Sequence, residues 1–391
     1  MPLARTSRTG RYAVTAVAGE RVKAFIPPPL PPKPPIRMEG LYRMMDEASR
    51  SIGRLDGVTS MLPDTPLFLY MYVRKEALLS SQIEGTQSSL SDLLLFESEE
   101  APGAPIDDVQ EVSNYVAAMD HGLARLRKGF PVSLRLIRDI HEILLSKGRG
   151  AGRQPGEFRR SQNWIGGTRP SNAAFVPPPA NEVPVLMSDL EKFIHAGTPE
   201  IPPLIKAGLV HVQFETIHPF LDGNGRLGRL LITLLLCANG ILREPILYLS
   251  LFFKTHRSHY YDLLQRVRLK GDWEAWLAFF LEGVAETSAQ AASAAREILN
   301  LFDMDRRRIE SLGRPAASAL RVHELFQTRP IISVPTAASR LGLSAPTVRK
   351  SMANLMGLGI VREITGRQRG RLFVYDAYLV ILARGTEPLP R

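Results

Sequence analysis

The stretch His218-Pro-Phe-Leu-Asp-Gly-Asn-Gly-Arg-Leu-Gly-Arg229, with the apolar run Leu230-Leu-Ile-Thr-Leu-Leu-Leu-Cys237 behind it, decides the fold of this chain. Its glycines allow backbone N–H groups to turn toward an anion. The apolar run predicts a buried helix whose positive dipole end faces the same anion. Arg226 and Arg229 are three residues apart, so they project from one side of that helix and suit phosphate recognition. The stretch therefore predicts a polyphosphate site with a titratable base beside it.

These twelve residues resemble the signature of the Fic family, His-Pro-Phe-x-Asp/Glu-Gly-Asn-Gly-Arg-x-x-Arg, and match it at every fixed position. Proteins of that family transfer AMP from ATP to a hydroxyl side chain of a target protein. A match of this length is far more specific than a short glycine motif. The resemblance extends over about residues 20–285 and implies a mainly α-helical fold, with a Fic-type helical bundle and a short β-hairpin flap. It also implies ATP as substrate and Mg²⁺ as cofactor.

Within the motif the resemblance implies a base, a metal ligand and a set of phosphate contacts. His218 is the expected general base, because neutral imidazole can accept a hydroxyl proton near the operating pH. Asp222 is the expected Mg²⁺ ligand. A core histidine and a turn-forming aspartate are the structural alternatives, which the adjacent phosphate loop disfavours. The residues expected to hold the nucleotide phosphates are Gly223, Asn224, Gly225, Arg226, Leu227, Gly228 and Arg229.

Residues outside the motif are expected to complete the nucleotide site. The stretch 159–169 is similar to the flap that pairs with the target segment in Fic proteins, and an ordinary surface loop is the alternative. A tyrosine pair borders the adenine and ribose pocket in the family, although aromatic residues at helical spacing more often belong to a core. The additional site residues predicted in this way are Ile165, Gly166, Gly167, Thr168, Tyr260 and Tyr261, with Gln213, Ser81 and Arg268 as weaker neighbours.

Two other chemistries are disfavoured by the sequence. His211, Glu215 and His218 have a spacing that suggests zinc. Pro219 ends the helix at that point and no further ligand cluster accompanies the three residues, so we reject zinc. The sequence also lacks Gly-x4-Gly-Lys-Ser/Thr, which excludes a P-loop kinase.

A second motif, Ser80-Ser-Gln-Ile-Glu-Gly85, resembles the inhibitory motif of the family, Ser/Thr-x-x-x-Glu-Gly/Asn. Ser80 and Glu84 are four residues apart and share one face of a helix, and Gly85 is suited to end that helix. The resemblance implies that this helix delivers Glu84 to Arg229 and so restrains AMP transfer. A solvated surface glutamate is the alternative, which the presence of both motifs in one chain disfavours.

The chain is predicted to have four segments: residues 1–104 with a proline-rich strap and the inhibitory helix, a catalytic core at 105–285, a linker helix at 286–313, and a winged helix-turn-helix domain at 314–391. No apolar run approaches the roughly 20 residues of a membrane span, and the N-terminus has no secretion signal. We therefore expect a cytoplasmic protein without a membrane partner. Helical periodicity is predicted from Leu41 and at 66–83, 87–97, 107–127, 133–146, 182–195, 201–217, 225–239, 256–269 and 273–298.

Residues 314–391 carry most of the positive charge: twelve Lys/Arg less four Asp/Glu leave eight of the chain's net ten charges. Helices are predicted at 317–326, 334–342 and 345–355, followed by a strand, a basic wing and a strand. DNA contact is one hypothesis and a docking or dimerisation role is the other, because fold alone does not fix function. A homodimer is expected on base rates. The side chains predicted to face DNA phosphates are Arg349, Lys350, Arg367, Arg369 and Arg371.

The leading functional hypothesis is an enzyme that transfers AMP to a Ser, Thr or Tyr hydroxyl of a target protein, or of itself, and that Glu84 autoinhibits. One alternative is a de-AMPylating enzyme, in which Glu84 positions water and His218 donates a proton. The other is a nucleotide-sensing, DNA-binding regulator. His218 argues against a pure sensor, because sensing requires the phosphate site but no base. The sequence does not identify the target protein.

Overall fold

The computed structural model describes a mainly helical chain with two small antiparallel sheets. The described residues are 8–17, 19–60, 65–97, 106–197, 201–367 and 370–389, so residues 99–105 and Arg369 lie outside them. The helices are α1 (Tyr42–Ser60), α2 (Thr65–Ile83), α3 (Leu90–Glu97), α4 (Ile106–Arg127), α5 (Leu134–Leu144), α6 (Val183–His195), α7 (Pro203–Ile217), α8 (Asn224–Ala238), α9 (Ser250–Thr255), α10 (Arg257–Lys270), α11 (Trp273–Glu310), α12 (Ala316–Thr328), α13 (Val334–Leu341), α14 (Ala345–Gly357) and α15 (Asp376–Ala383). The strands are β1 (Arg11–Val17), β2 (Glu20–Ile26), β3 (Ile331–Ser333), β4 (Arg362–Glu363) and β5 (Leu372–Val374).

The helix pair α7 and α8 lies at the centre of the molecule. Both helices are buried on almost every side and consist mainly of apolar residues, with a few buried polar and charged side chains among them. Helices α4, α5, α6, α10 and α11 pack against one or both of them. Gly208 of α7 allows α11 to approach closely, because a Cβ there would lie 3.0 Å from a methyl of Leu277. The loop 218–223, which joins the two helices, is therefore anchored at both ends in the core.

The N-terminal residues form a hairpin that the sequence did not predict. Strands β1 and β2 pair antiparallel from Arg11 with Ile26 to Val17 with Glu20. The N–H of Phe25 donates to the carbonyl of Val176 at 2.9 Å, which joins the hairpin to the predicted flap region. The proline-rich strap then runs over the protein's own surface, where Gln213 donates to the Pro28 carbonyl at 2.9 Å.

Helix α11 joins the predicted helical stretch 273–298 and the predicted linker helix 286–313 into one helix, Trp273–Glu310. It runs without interruption for 38 residues. No proline lies within it, and its single glycine, Gly283, faces Phe252 in the core. Helix α1 packs along α11. The short helix α9 was also missed, because six residues are too few for a periodic signal.

The C-terminal residues form four helices and a three-stranded antiparallel sheet in the order β3-β5-β4. The Ser344 hydroxyl caps α14 by accepting from the Thr347 N–H at 3.3 Å, and Gly342 ends α13 in the left-handed conformation. Helices α12, α13 and α14 and strands β4 and β5 lie close to the predicted positions, whereas α15 and β3 were not predicted. The winged helix-turn-helix assignment stays a prediction. The Tyr375 hydroxyl donates to Asp305 of α11 at 2.6 Å, so this part of the chain is joined to the long helix through a buried polar contact. None of the described helices has the length and apolar character needed to cross a bilayer.

Replacing Tyr375 with phenylalanine should lower the free energy of unfolding by about 1–3 kcal/mol, because the buried Asp305 carboxylate loses a donor. Urea unfolding followed by circular dichroism measures this loss. The matched control is Tyr42→Phe at an exposed tyrosine of α1, which should change stability by less than about 0.5 kcal/mol. Equal losses in the two variants would contradict a specific role for the Tyr375–Asp305 contact.

Candidate active site

The loop 218–223 is held rigidly between α7 and α8. His218 ends α7 in the left-handed conformation, with φ 50°, and its N–H donates to the Phe214 carbonyl at 2.9 Å. Phe220 is fully buried. The Asn224 side chain accepts from the Phe220 N–H and donates to its carbonyl, both at 2.9 Å. Asn224 was predicted as a phosphate contact. Because its side chain closes the loop through these two hydrogen bonds, only its backbone N–H, at the start of α8, is left to contact an anion.

Arg159 fixes the position of His218, a role that the sequence did not reveal. Its guanidinium is buried and donates to the carbonyls of His218 at 2.9 Å, Pro178 at 2.6 Å and Ser161 at 3.2 Å. The His218 carbonyl lies at the C-terminal end of α7, so the positive charge of Arg159 also interacts favourably with the negative end of the helix dipole. Arg159 stood within the predicted flap, but contacts between an arginine and distant carbonyls leave no local sequence pattern.

The His218 imidazole is neutral in this structure. Burial, together with the nearby Arg159 and Arg268 guanidinium groups, lowers its pKa to about 3. Its Nδ1 atom has no hydrogen-bond partner among the described residues. An unprotonated imidazole with an unpartnered nitrogen is the form that a general base requires, and the negative charge of a bound polyphosphate would raise its pKa.

His141 of α5 supports the other side of the loop and was also missed. Its ring stacks on Phe220 with 3.7 Å between ring centroids. Its Nδ1 accepts from the Gly156 N–H at 2.8 Å, so Nε2 carries the proton and donates to the Asp222 carbonyl at 3.0 Å. Burial lowers the pKa of His141 to about 4, which keeps it in this tautomeric arrangement. The available signal was a histidine on the otherwise apolar face of α5.

Arg229 is the buried cation to which α2 is docked. Its Nε donates to the Ser80 hydroxyl at 2.9 Å, and its Nη2 donates to the Ser80 carbonyl at 3.0 Å and to Glu84 Oε1 at 2.7 Å. A Cβ on Gly225 would lie only 2.3 Å from the same Glu84 oxygen, so the carboxylate covers the N-terminal turn of α8. Although burial opposes ionisation, Arg229 lowers the pKa of Glu84 below its usual value. The predicted approach of Glu84 to Arg229 thus exists in the structure, and Gly85 follows with φ 102°.

Arg226 lies in a second acidic environment. Its Nη1 donates to Glu111 of α4 at 3.1 Å, and both side chains are almost fully buried. Arg149 pairs with the other Glu111 oxygen at 2.9 Å. The Arg226 Nε has no partner among the described residues. The Asp222 carboxylate is 39% exposed, lies 3.8 Å from Arg226 and is therefore open to a ligand in solution.

The predicted β-hairpin flap is reduced to a single pair of bridged residues. Ile165 and Phe175 exchange backbone hydrogen bonds of 2.9 and 3.1 Å. A turn with a short 3₁₀ helix, Pro170–Asn172, separates them. Gly167 has φ 74°, and a Cβ there would lie 2.5 Å from the Asn172 carbonyl oxygen. The dense glycine, proline and asparagine content that predicted a flap thus produces a tight turn whose residues 166–168 are exposed.

The two predicted tyrosines lie in different places, one in the core and one near the predicted phosphate site. Tyr260 is fully buried and its hydroxyl lies 2.8 Å from His211 Nε2, so it belongs to the core as the structural alternative proposed. Tyr261 is 40% exposed. Burial raises the pKa of Tyr261 to about 12, and the charges that act on it include Glu84 and Arg229, which places Tyr261 beside the predicted phosphate site.

The weaker candidates have mainly structural contacts. Gln213 binds the strap at Pro28, as described above. Ser81 is buried, with no partner for its hydroxyl among the described residues. Arg268 donates to the Thr216 hydroxyl at 3.2 Å and lies 3.9 Å from the centroid of the Phe175 ring, so it connects α10, the end of α7 and the flap.

The arrangement around His211 offers no zinc site. Its Nδ1 lies 3.0 Å from the Gly228 carbonyl and its Nε2 lies 2.8 Å from the Tyr260 hydroxyl, so both nitrogens are occupied. Within the described part of the chain, no three His, Cys, Asp or Glu side chains are grouped to hold a metal ion. Glu215 instead packs on Gly228, where a Cβ would lie 2.3 Å from its carboxylate.

Comparison with known proteins relates the chain to the Fic/DOC family. Residues 42–124 match the Fic/DOC family N-terminal model and residues 131–236 match the Fic/DOC family model. The chain carries a Fic domain. It is 33% identical over 209 residues to protein adenylyltransferase Fic of Aedes aegypti and 32% identical over 209 residues to that of Culex quinquefasciatus. In each case the match includes 52% of this chain and 39% of the relative, so the chain spans about two fifths of their length.

Two solved structures share the fold. A Fic family protein from Desulfovibrio desulfuricans superposes with a TM-score of 0.58 at 21% identity, covering 88% of this chain and 97% of that one. A Fic domain-containing signalling protein from Bacteroides thetaiotaomicron gives a TM-score of 0.51 at 20% identity, covering 64% of this chain and 97% of that one. The mainly helical fold and the Fic resemblance predicted from the sequence are both confirmed.

Replacing Glu215 with glutamine should stabilise the protein more at pH 8 than at pH 5. Burial raises the pKa of Glu215 to about 7, although Arg229 opposes this shift. A carboxyl group whose pKa is higher in the folded than in the unfolded protein stabilises the fold while it is protonated. This stabilisation is complete below the unfolded pKa of about 4 and is lost as the pH rises through about 7. Glutamine cannot titrate, so the variant should gain up to about 1.4 kcal/mol per pH unit over this window.

Urea unfolding of both proteins at pH 5 and pH 8 measures this difference. The matched control is Glu142→Gln at an exposed glutamate of α5, which should change the free energy of unfolding little at either pH. A stability difference between wild type and Glu215→Gln that is the same at the two pH values would show that this carboxyl does not titrate as its burial requires.

Proposed function

We propose that this chain is a protein adenylyltransferase that transfers AMP from ATP to a Ser, Thr or Tyr hydroxyl of a target protein and is restrained by Glu84. One observation carries the proposal: the Glu84 carboxylate pairs with the guanidinium of Arg229 and lies against the N-terminal turn of α8. These are the groups that would bind a terminal phosphate. The names of the Aedes and Culex relatives support the same reaction.

Unpartnered buried groups support a ligand at this place. His218 Nδ1 and Arg226 Nε are both buried without a hydrogen-bond partner among the described residues. Buried polar groups are normally paired, so an orphan donor and an orphan acceptor beside one loop indicate a missing polar ligand. A polyphosphate would accept from Arg226 and from the first backbone N–H groups of α8, while its target would donate to His218.

The proposed reaction is an in-line displacement at the α-phosphorus of ATP. His218 removes the proton of the target hydroxyl, whose oxygen forms a bond to the α-phosphorus while the bond to the bridging oxygen of pyrophosphate breaks. Backbone N–H groups from Gly223 onward and the two motif arginines stabilise the negative charge on the departing pyrophosphate. Arg159 and His141 act through the loop: they hold His218 and the Asp222 carbonyl in place and contact no reacting atom.

The Asp222 side chain fits a magnesium ion. Its carboxylate is 39% exposed and lies where the loop opens to solvent. Mg²⁺ is commonly held by one or two carboxylates together with substrate phosphates, so a single acidic residue suffices. When bound, the ion would neutralise charge on the phosphates and orient them.

Removal of AMP is the second candidate, because Glu84 is ionised and faces the same loop. Arg229 lowers the pKa of Glu84, and a carboxylate at this position could orient a water molecule toward a phosphoryl group. His218 would then protonate the departing hydroxyl. Self-modification, a homodimer and DNA contact through residues 314–391 stay predictions. Arg349, Lys350, Arg367 and Arg371, which would face DNA, are exposed.

Replacing His218 with alanine should abolish AMP transfer and leave ATP binding nearly unchanged, because the imidazole accepts a proton and supplies no phosphate contact. We expect a loss of roughly 10²- to 10⁴-fold in rate. Incubation with Mg²⁺ and ATP labelled at the α-phosphate, followed by intact-mass analysis, measures the transfer of one AMP to the protein or to lysate proteins. Normal transfer by the variant would remove His218 from the mechanism.

Replacing Glu84 with glycine should raise AMP transfer by about an order of magnitude or more, since breaking the partly buried pair with Arg229 accounts for a few kcal/mol. The same assay measures this gain, which should include self-modification. The double variant Glu84→Gly with Arg229→Ala should lose the gain, because the released guanidinium is what holds the γ-phosphate.

The control for the Glu84 variant is Glu142→Gln, at an exposed carboxylate outside the proposed site. It should leave the rate of AMP transfer unchanged. If Glu84→Gly transfers AMP no faster than wild type but removes AMP more slowly from a modified protein, the second candidate function is favoured over the first.

A further inference from the structure

The last described part of the chain, residues 376–389, packs against the helix that carries the inhibitory motif. We call these residues, which comprise α15 and the tail after it, the C-terminal clamp. Helix α15 contacts both α2 and α11. The tail then continues past the end of α2, close to the turn that presents Glu84. Nothing in the proposed reaction uses this contact.

Gln82 makes the contact between α2 and the clamp. Its side chain is buried, and its Nε2 donates to the Ser88 carbonyl at 2.9 Å and to the Thr386 carbonyl at 2.8 Å. Thr386 is itself buried and is fixed by hydrogen bonds of its N–H and hydroxyl to the Ala383 carbonyl. Both N–H bonds of the amide are therefore used, and removing the tail would leave a buried donor unpaired.

The clamp is attached to the core by a second residue that does not belong to α2. Lys254 of α9 is buried and donates to the carbonyls of Gly385, at 3.1 Å, and Glu387. Gly385 has φ 77°, and a Cβ there would lie 2.7 Å from Leu251. The tail is thus fixed on α9 in a position that aims the Thr386 carbonyl at Gln82.

Gln82 is connected to Glu84 by a tight turn. The Glu84 N–H donates to the Ser81 carbonyl at 3.0 Å, and the Gly85 N–H donates to the Gln82 carbonyl at 3.1 Å. The turn leaves little freedom between the residue that the clamp holds and the carboxylate that covers Arg229. A displacement of Gln82 must therefore move Glu84.

We infer that docking of the C-terminal clamp stabilises the inhibitory position of Glu84, so that release of its tail, residues 384–389, frees Arg229 and activates AMP transfer. The end of α2 is held from two sides, by Arg229 through Ser80 and Glu84 and by the clamp through Gln82. A cavity of about 430 Å³ borders the clamp between Lys75, Glu297 and Arg384, so on that side the tail is not sealed into the core. The activity part of this inference rests on the proposed function, whereas the structural coupling does not.

The test uses Lys254→Met, which removes the anchor of the clamp without altering α2, the motif loop or Arg229. We expect hydrogen exchange of the backbone amides at residues 80–86 to become faster, and AMP transfer to rise roughly 3- to 10-fold, as the loss of one or two buried hydrogen bonds implies. The matched control is Lys192→Met, which removes an exposed pair with Asp189 on α6 and should change neither measurement.

A chain that ends at Ala383 removes the tail altogether and should give the same two changes more strongly. In a Glu84→Gly background, Lys254→Met should raise transfer no further, because the inhibition that the clamp supports is already absent. Unchanged exchange at residues 80–86 in a folded Lys254→Met protein would overturn the inference. Absence of AMP transfer in every variant, Glu84→Gly included, would instead refute the proposed function, and the exchange data would still decide the coupling.

Discussion

A single buried cation, the guanidinium of Arg229, determines how the parts of this molecule must be arranged. Its side chain is 2% exposed, so it cannot remain unpaired without a cost of several kcal/mol. In the structure its partners are Ser80 and Glu84 of one helix segment. A bound phosphate could satisfy the same donors. Under the proposed function, the segment that carries Glu84 and the terminal phosphate of ATP would be alternative partners for one charge, which would tie occupancy of the site to the position of α2.

The loop beside this cation is rigid for related reasons. Its two ends are helices buried on nearly all sides, and its carbonyls are taken up by Arg159, His141 and Asn224. Few of its backbone groups are left to rearrange when a ligand binds. In the proposed reaction, a base and phosphate donors that are positioned beforehand would need little reorganisation. The motif loop is thus the fixed part of the proposed site.

The sequence predicted the parts of the site that are contiguous along the chain, but not those that the fold assembles. The motif loop, most of the helices and the Glu84–Arg229 pairing were accessible because each has a local pattern of spacing or a motif. The β1–β2 hairpin and the short helices α9 and α15 were missed, since weak alternation and helices of six or eight residues leave no such pattern. His141, Arg159 and Gln82 act on backbone carbonyls more than twelve residues away, and any carbonyl can serve as acceptor. The identity of the residue that provides the carbonyl therefore gives no sign of these contacts in the sequence.

Helix α2 is buried in the core, yet several of its contacts are polar. It buries apolar residues such as Met71 and Leu78, but it also buries Glu76, Ser80 and Gln82. Each of these polar groups faces a partner on a different element: Ser250 of α9, Arg229 of α8 and Thr386 of the clamp. Apolar contact is not directional and survives small shifts, whereas a hydrogen bond weakens steeply with geometry. The observed position of α2 is therefore specified by polar contacts to three different elements. Under the proposed function, a ligand that replaces one of these contacts would by linkage weaken the hold of the others.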